Sequence, residues 1–478
     1  MRNILNKFAG KALAKLSGKQ KAGLFGVGWS NLSQMVGLVF KLGSTLILTR
    51  LLAPEAYGIL GTAMAVLTTL EWLSDLGIQP ALIRHEKGDR PEYLNTGWMM
   101  GLGRGFVLSF FAAISAWPLA IFYDEPALLG VLLVLSMRPL LLALRSPAFP
   151  LLRRNLNFKS IFIDEVALTV VGTACSIGMA FMFQSVWAIV LGTMAGAVTS
   201  VLLSYFLCPM RPRWNWDRSA SKDIYSLGQQ VFINTLVMAA WLNLDRLLGL
   251  RLLSPAEMGV YAIAFNLSAV LEGLLTRVCD VHFSMLAREE NAEAQGKWHD
   301  IVCKRAAGWG MPLVALSLLL APWAIWILYD SRYHGAGLIF AIMLARLMVR
   351  AYGQLQFQYL LAVAKVKMAT YAYLVAVIVQ VALFWPMVST FGVAGMAGAV
   401  LFSTIALTLT QTLLIYRHTK TGLQPFGSTL SWATAGLMTA IFVYGNPVFD
   451  PAELANDQSN EVAEVTTSSE TDIEGNNS

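Results

Sequence analysis

Apolar runs of roughly twenty residues recur between residues 24 and 416 of this chain, and that recurrence restricts the fold more than any other feature. A helical segment of this length spans the hydrocarbon core of a bilayer. A chain built from such segments must satisfy its backbone within each one. Only 13% of the 478 residues are charged and 56% are hydrophobic, against about 25% charged in a soluble domain. The fold class is therefore an all-α polytopic membrane protein. Twelve spans are read at 24–49, 56–77, 94–121, 127–150, 161–183, 186–207, 225–250, 257–280, 306–329, 336–363, 368–390 and 393–416, followed by a shorter thirteenth segment within 421–446. No long polar stretch separates them, so no soluble enzyme domain is expected.

Basic residues set the expected orientation. The leader and the loops after even-numbered spans hold 25 Lys or Arg, whereas the loops after odd-numbered spans hold Arg50, Arg251 and Arg332. The leader, 1–22, is therefore expected in the cytoplasm. Lys7, Lys11, Lys15 and Lys19 form one helical stripe beside Leu5, Phe8, Leu13 and Leu16, a pattern suited to an anionic inner leaflet; a solvated basic leader is the plainer reading. A cleavable signal peptide is not expected. The tail, 447–478, holds eight Asp or Glu and no Lys or Arg and is read as disordered. Its side of the membrane depends on whether the thirteenth segment crosses.

One turn is spelled twice. Residues 50–61 read RLLAPEAYGILG and residues 251–262 read RLLSPAEMGVYA, an offset of 201. Both follow an odd span, and six spans separate them, so the chain is expected to hold two parallel repeats related by an axis along the membrane normal. The expected organisation is a six-helix bundle at 23–207, a basic linker at 208–223 and a second six-helix bundle at 224–420 around a central cavity. Pro54 and Pro255 suit the first turn of the following helix. At the same offset Glu71 matches Glu272. Shared helix-hairpin chemistry is the competing explanation for so short a match.

With Arg145, at the inner end of the fourth span, counted together with Arg153, Arg154 and Lys159 in the loop that follows, seven basic residues fall inside spans: Lys41, Arg104, Arg138, Arg246, Arg277, Arg346 and Arg350. Glu71, Asp75, Asp164, Glu165, Asp245, Glu272 and Asp280 are the acids at comparable depth. Each charge near a helix centre costs about 2.5–3.5 kcal/mol on insertion scales, so these side chains must face a wet cavity or a partner. Asp245, Arg246, Arg277 and Asp280 stand near span ends, where snorkelling or local pairing accounts for them. Lys41, Arg104, Arg138, Arg346 and Arg350 are the candidates for a cationic cavity lining, with structural pairing the alternative for each. Arg346 and Arg350 share a helix face at i, i+4. Arginine presents a planar fork to phosphate, so such a chamber suits an anionic, pyrophosphate-bearing cargo. Glu71, Asp75 and Glu272 are candidate coupling or gating carboxylates: they could bind a cation or proton, or hold arginines when cargo is absent.

Other chemistry is not indicated. No GxxxxGK[ST] motif occurs, so ATP hydrolysis on this chain is not expected. Cys175, Cys208, Cys279 and Cys303 lack metal-ligand spacing. His85, His282, His299, His334 and His418 are scattered near helix ends and read as surface residues. No catalytic arrangement, metal site, cofactor or nucleic-acid partner is expected.

LTRLLAPEAYGILG, followed by LSDLGIQPALIRHE at 73–86, resembles the start of the bacterial polysaccharide exporters of the Wzx-type flippase group, within the MOP exporter superfamily. LLRRNLNFKSIFIDE (151–165) and NLDRLLGLRLLSPAEMGVYAIAFNL (243–267) are similar to that family's segments after the fourth span and across the seventh and eighth. The likeness covers nearly all of 24–416. Tyr333 stands where relatives often have Trp, and the single thirteenth segment departs from their even helix count. The resemblance implies two six-helix bundles around a central cavity and an undecaprenyl-pyrophosphate-linked oligosaccharide carried across the bacterial cytoplasmic (inner) membrane by alternating access. Membrane lipid and a polysaccharide polymerase or export machinery are the further partners it implies. Two other readings stay open. One is a cation-coupled exporter of drugs or metabolites on the same fold; the other is a structural membrane subunit of a polysaccharide synthase.

Overall fold

The structure, a computed structural model, describes residues 42–445 except 75–76, 156, 287–291, 311–320, 322, 364–365 and 420–422, with a few positions between 32 and 40. The leader, the acidic tail, Lys41 and Asp75 lie outside the described residues, as do the side chains of Arg277 and Asp280. All regular structure among the described residues is helical. The chain divides into two compact units, Met1–Ala239 and Ala240–Ser478.

In the first unit a helical stretch over 42–51 leads into α1 (Pro54–Leu73), α2 (Ile78–Arg84), α3 (Pro91–Tyr123), α4 (Pro126–Leu135), α5 (Met137–Ala143), α6 (Phe149–Arg154), α7 (Phe158–Phe183) and α8 (Trp187–Leu207). Then α9 (Arg218–Leu252) runs through the boundary between the units. Proline opens α1, α3 and α4, where its missing N–H costs nothing. The expected fourth span is not one uninterrupted helix. It breaks at Ser136, because Pro139 cannot donate to the carbonyl one turn earlier and its ring crowds that turn.

α7 and α8 form the tightest hairpin of the unit. A Cβ on Gly192 would stand 2.5 Å from the Gly172 carbonyl oxygen, and one on Gly196 would stand 2.7 Å from that of Leu168. The pair reads GTMAG in the sequence, a spacing that lets helix backbones touch. The same stripe continues four residues at a time to Ser200 and Ser204, both fully buried. Ser204 Oγ accepts from the Ser146 backbone N–H at 3.0 Å, and Ser146 Oγ donates to the Cys208 carbonyl at 2.8 Å. The turn after α5 is thereby tied to α8.

The segment between α8 and α9 is laid over the start of α3. The N–H groups of Arg213 and Asp217 donate to Asn95 Oδ1 (3.1 Å) and Thr96 Oγ1 (3.0 Å). Asp217 then caps α9, accepting from the Ser219 and Ala220 N–H groups. The Ser219 hydroxyl bond leads the causes that hold its carboxyl below the usual range.

The second unit contains the rest of α9, α10 (Pro255–Leu286), α11 (Ala292–Arg305), α12 (Ala336–Ala362), α13 (Val366–Thr419) and α14 (Leu423–Gly445). α10 opens at Pro255, 201 residues after α1 opens at Pro54. The second copy adds a capping box, in which the Ser254 N–H and hydroxyl both reach Glu257 Oε2 at 2.8 Å. α12 is buried along almost its whole length, packed by α10, α13 and α14. Gly392, at φ 56° and ψ −133°, divides α13 into two helical stretches.

Six helices among the described residues are long and apolar enough to cross a membrane: Pro91–Tyr123, Pro126–Ala143, Phe158–Phe183, Trp187–Leu207, Ala336–Ala362 and Lys367–Arg417, the last containing the Gly392 break. This is a multi-pass membrane protein. α9 and α10, at the expected seventh and eighth spans, carry Asp245, Arg246 and Glu272 and are not among the six. Part of the expected ninth span lies outside the described residues.

Candidate functional site

Within the first unit, the end of α1 together with α2, α3, α5 and α6 lines an open cavity of about 600 Å³. Three glycines on α3, Gly97, Gly101 and Gly105, supply a wall without side chains. The outer two are closely packed, since a Cβ would come within 2.8 Å of Leu82 Cδ1 at Gly97 and 2.9 Å of Ala143 Cβ at Gly105. Gly101 faces open space: a Cβ there meets nothing within 4 Å. Trp72 and Trp98 also line the cavity.

The charged lining among the described residues is Arg104, Arg138, Arg145, Arg153 and Glu71. Arg138 Nη1 lies 3.2 Å from Glu71 Oε1, with the two side chains 27% and 26% exposed. This is one contact between half-buried partners. Arg104 is bound more firmly. Its Nη2 donates to the Glu71 carbonyl oxygen at 2.6 Å and its Nε to Ser74 Oγ at 3.0 Å. It therefore caps the negative end of α1 as well as facing the cavity.

The second unit repeats the motif with different stoichiometry. Glu272, on α10, accepts from both Nη atoms of Arg346 at 3.2 Å and from Arg350 Nε at 3.3 Å. Both arginines are on α12, one turn apart, and are buried. Arg350 also donates to Tyr373 Oη at 3.3 Å, and its guanidinium carbon stands 4.9 Å from the centre of the Trp241 ring. Helix, not lipid, surrounds α12, which is why two cations are tolerated there. In each unit the carboxylate on the helix opened by the repeated turn is thus paired to arginine from a later helix of the same unit.

The sequence-derived candidates therefore fall into two sets. Glu71, Arg104 and Arg138 meet in the first unit, and Glu272, Arg346 and Arg350 meet in the second. Two further cavity arginines, Arg145 and Arg153, belong in the sequence to the basic loop after the fourth span. Arg145 stands in the turn after α5 and Arg153 on α6, so no helical spacing from Arg138 signals either of them. Asp164 and Asp245 are almost fully buried. Tyr261 Oη donates to Asp245 Oδ2, and Arg246 donates to Asn243 Oδ1 at 2.7 Å.

Two of the histidines are not surface residues. His282 Nε2 and His299 Nδ1 lie 3.0 Å apart, and His299 Nε2 lies 3.0 Å from Gln356 Oε1, all three residues being buried. Burial lowers His299 to about 4, which keeps it neutral. Helix packing brings together residues of α10, α11 and α12 that are far apart in the sequence.

The helical architecture matches that of a known class of membrane protein. A solved structure of the lipid II flippase MurJ, in an inward closed conformation, superposes with a TM-score of 0.69 over 88% of this chain and 92% of that one, at 13% identity. At that identity the likeness shows the fold alone.

The chain belongs to the polysaccharide biosynthesis protein family, whose model matches residues 47–338. Its relatives include the lipopolysaccharide biosynthesis protein WzxC of Escherichia coli strain K12, 22% identical over 259 residues, and the succinoglycan biosynthesis transport protein ExoT of Rhizobium meliloti strain 1021, 22% identical over 251 residues. These alignments cover 53% and 51% of this chain and 52% and 49% of the relatives, about half in each case.

Proposed function

We propose that this chain is a flippase that moves an undecaprenyl-pyrophosphate-linked oligosaccharide repeat unit from the inner to the outer leaflet of the bacterial cytoplasmic membrane, supplying exopolysaccharide, capsule or O-antigen assembly. The observation that carries this reading is the charge of the first unit's cavity, four arginines against one glutamate among its described lining residues. Such a lining attracts a diphosphate and repels an organic cation, which argues against the drug-exporter alternative. The likeness to ExoT, a succinoglycan biosynthesis transport protein, is consistent with it.

Alternating access is the mechanism proposed, with a polysaccharide polymerase or export complex receiving the product. Without cargo, Glu71 neutralises Arg138. A phosphate of the diphosphate competes for the same guanidinium, two of its oxygens accepting two parallel hydrogen bonds where Glu71 accepts one. Cargo then favours the state in which the arginine is free, and that difference in affinity is what any ligand-driven shift requires. Glu272 plays the corresponding part toward Arg346 and Arg350. Asp75 and Lys41 remain candidates, the first as a coupling carboxylate and the second as a further cavity cation.

The experiment is polymer export in cells that depend on this chain. Glu71→Gln, Glu272→Gln and Arg138→Gln are compared at matched protein level. Export should fall at least about tenfold for Arg138→Gln and clearly for at least one glutamate variant. Unchanged export for Arg138→Gln and for the double glutamate variant would refute the assignment.

A further inference from the structure

Arg145 lies two residues beyond the end of α5 and lines two cavities, the large one and a smaller one of about 210 Å³ between α6 and α7. Its Nη2 donates to Ser200 Oγ and stands 3.4 Å from Asp164 Oδ2. Ser200 Oγ is also 2.7 and 2.9 Å from the two Asp164 carboxylate oxygens. Asp164 is 1% exposed and Ser200 is fully buried. The guanidinium carbon lies 4.9 Å from the centre of the Phe149 ring. The backbone around Arg145 is fixed as well, by the Ser146 bonds to α8 and by Tyr205 Oη donating to the Leu144 carbonyl at 2.8 Å.

This seat occupies only part of the guanidinium. Nε is enclosed and has no acceptor in the protein, although the side chain as a whole is 22% exposed and lines both cavities. A guanidinium carries five N–H groups, and an enclosed donor without an acceptor is costly to leave so. Arg138 differs in its partner, since Glu71 makes a single contact and is 26% exposed whereas Asp164 is buried. Arg138 stands within α5, whereas Arg145 stands in the turn that follows it.

We propose that Arg145, positioned by Asp164 and Ser200, is a fixed anion-binding residue for a phosphate group, distinct from the exchangeable Arg138–Glu71 pair. Identifying that phosphate as part of lipid-linked cargo rests on the flippase reading. The shared chemistry is a phosphate ester, whether from a lipid diphosphate or a lipid monophosphate. Asp164, which with Glu165 also lines the smaller cavity, and Ser200 act through Arg145 as positioning residues.

The test is binding to the purified full chain in detergent, read from the fluorescence of its tryptophans, two of which line the cavity. The probes are undecaprenyl diphosphate, undecaprenyl monophosphate and uncharged undecaprenol. The key variant is Arg145→Met with Asp164→Leu. It removes both members of a buried pair and so strands no charge, the case in which folding is commonly preserved. The melting temperature should stay near that of the original chain, while affinity for the diphosphate falls about tenfold and that for undecaprenol does not change. Equal diphosphate affinity in this variant and the original chain would overturn the assignment of Arg145 alone. An original chain that binds undecaprenol as tightly as both phosphates would overturn the cargo reading and the inference with it. An original chain that binds monophosphate and diphosphate equally, with both weakened in the variant, supports the seat and assigns it a single phosphate. If the double variant does not fold, Arg145→Lys keeps the positive charge and removes the fork. It should weaken diphosphate binding severalfold at unchanged melting temperature, and full affinity would overturn the proposal.

Discussion

Glu71 and Glu272 occupy matching places in the repeat but are expected to matter differently to stability. Glu272 neutralises two buried arginines, whereas Glu71 pairs with one that is 27% exposed. Breaking a buried pair from one side costs about 3–5 kcal/mol, an upper figure here because glutamine still accepts a hydrogen bond. A single half-buried contact such as Arg138–Glu71 lies between that figure and the about 0–1 kcal/mol of a surface pair. Thermal melts of the purified chain should therefore show Glu272→Gln lowering the melting temperature more than Glu71→Gln does. A larger fall for Glu71→Gln would contradict the pairing described. At this scale the sequence was informative about depth and poor about partners. The insertion cost alone singled out Arg138, Arg346 and Arg350. Nothing in the spacing told that one carboxylate would hold both α12 arginines, or that Ser200 would meet Asp164, because such contacts depend on how helices rotate against one another.

Helices were more legible than their interruptions. The repeated turn located the openings of α1 and α10 at Pro54 and Pro255, since a proline at the first helical position is a local property. The break at Ser136 was signalled by Pro139 but hidden within a long apolar run. The contact between α7 and α8 was present as GTMAG. The face of α3 that lines the cavity carries its own test. Gly101 lines open space, so Gly101→Leu should fold with little change in melting temperature while reducing the cavity volume. Polymer export should drop severalfold at normal protein level. Unimpaired export would mean that cargo does not pass this wall. The equivalent change at Gly105, where Ala143 blocks the new side chain, should instead lower stability by about 1–3 kcal/mol.

For the whole molecule, composition was enough to fix an all-helical membrane protein, because a bilayer leaves few alternatives to helices. The substrate was less accessible, since cavity charge specifies an anion and not its sugars. Arg145 and Arg153 show why the cavity itself was only partly legible: they read as loop charges, yet the turn after α5 folds back against α8 and brings them to the cavity wall. On the proposed reading, this chain carries a diphosphate-linked oligosaccharide across a bilayer through that arginine-lined space. The most direct test of that reading is translocation in proteoliposomes of the purified full chain. A short oligosaccharide linked to undecaprenyl diphosphate is placed in both leaflets, and a membrane-impermeant glycosidase reports the fraction reachable from outside. The account predicts that nearly all of the lipid becomes cleavable with the original chain, that only about half does with Arg138→Gln, and that the same oligosaccharide on a neutral lipid anchor stays half protected. Equal protection of the diphosphate lipid with and without the chain, or equal flipping of the neutral lipid, would contradict it.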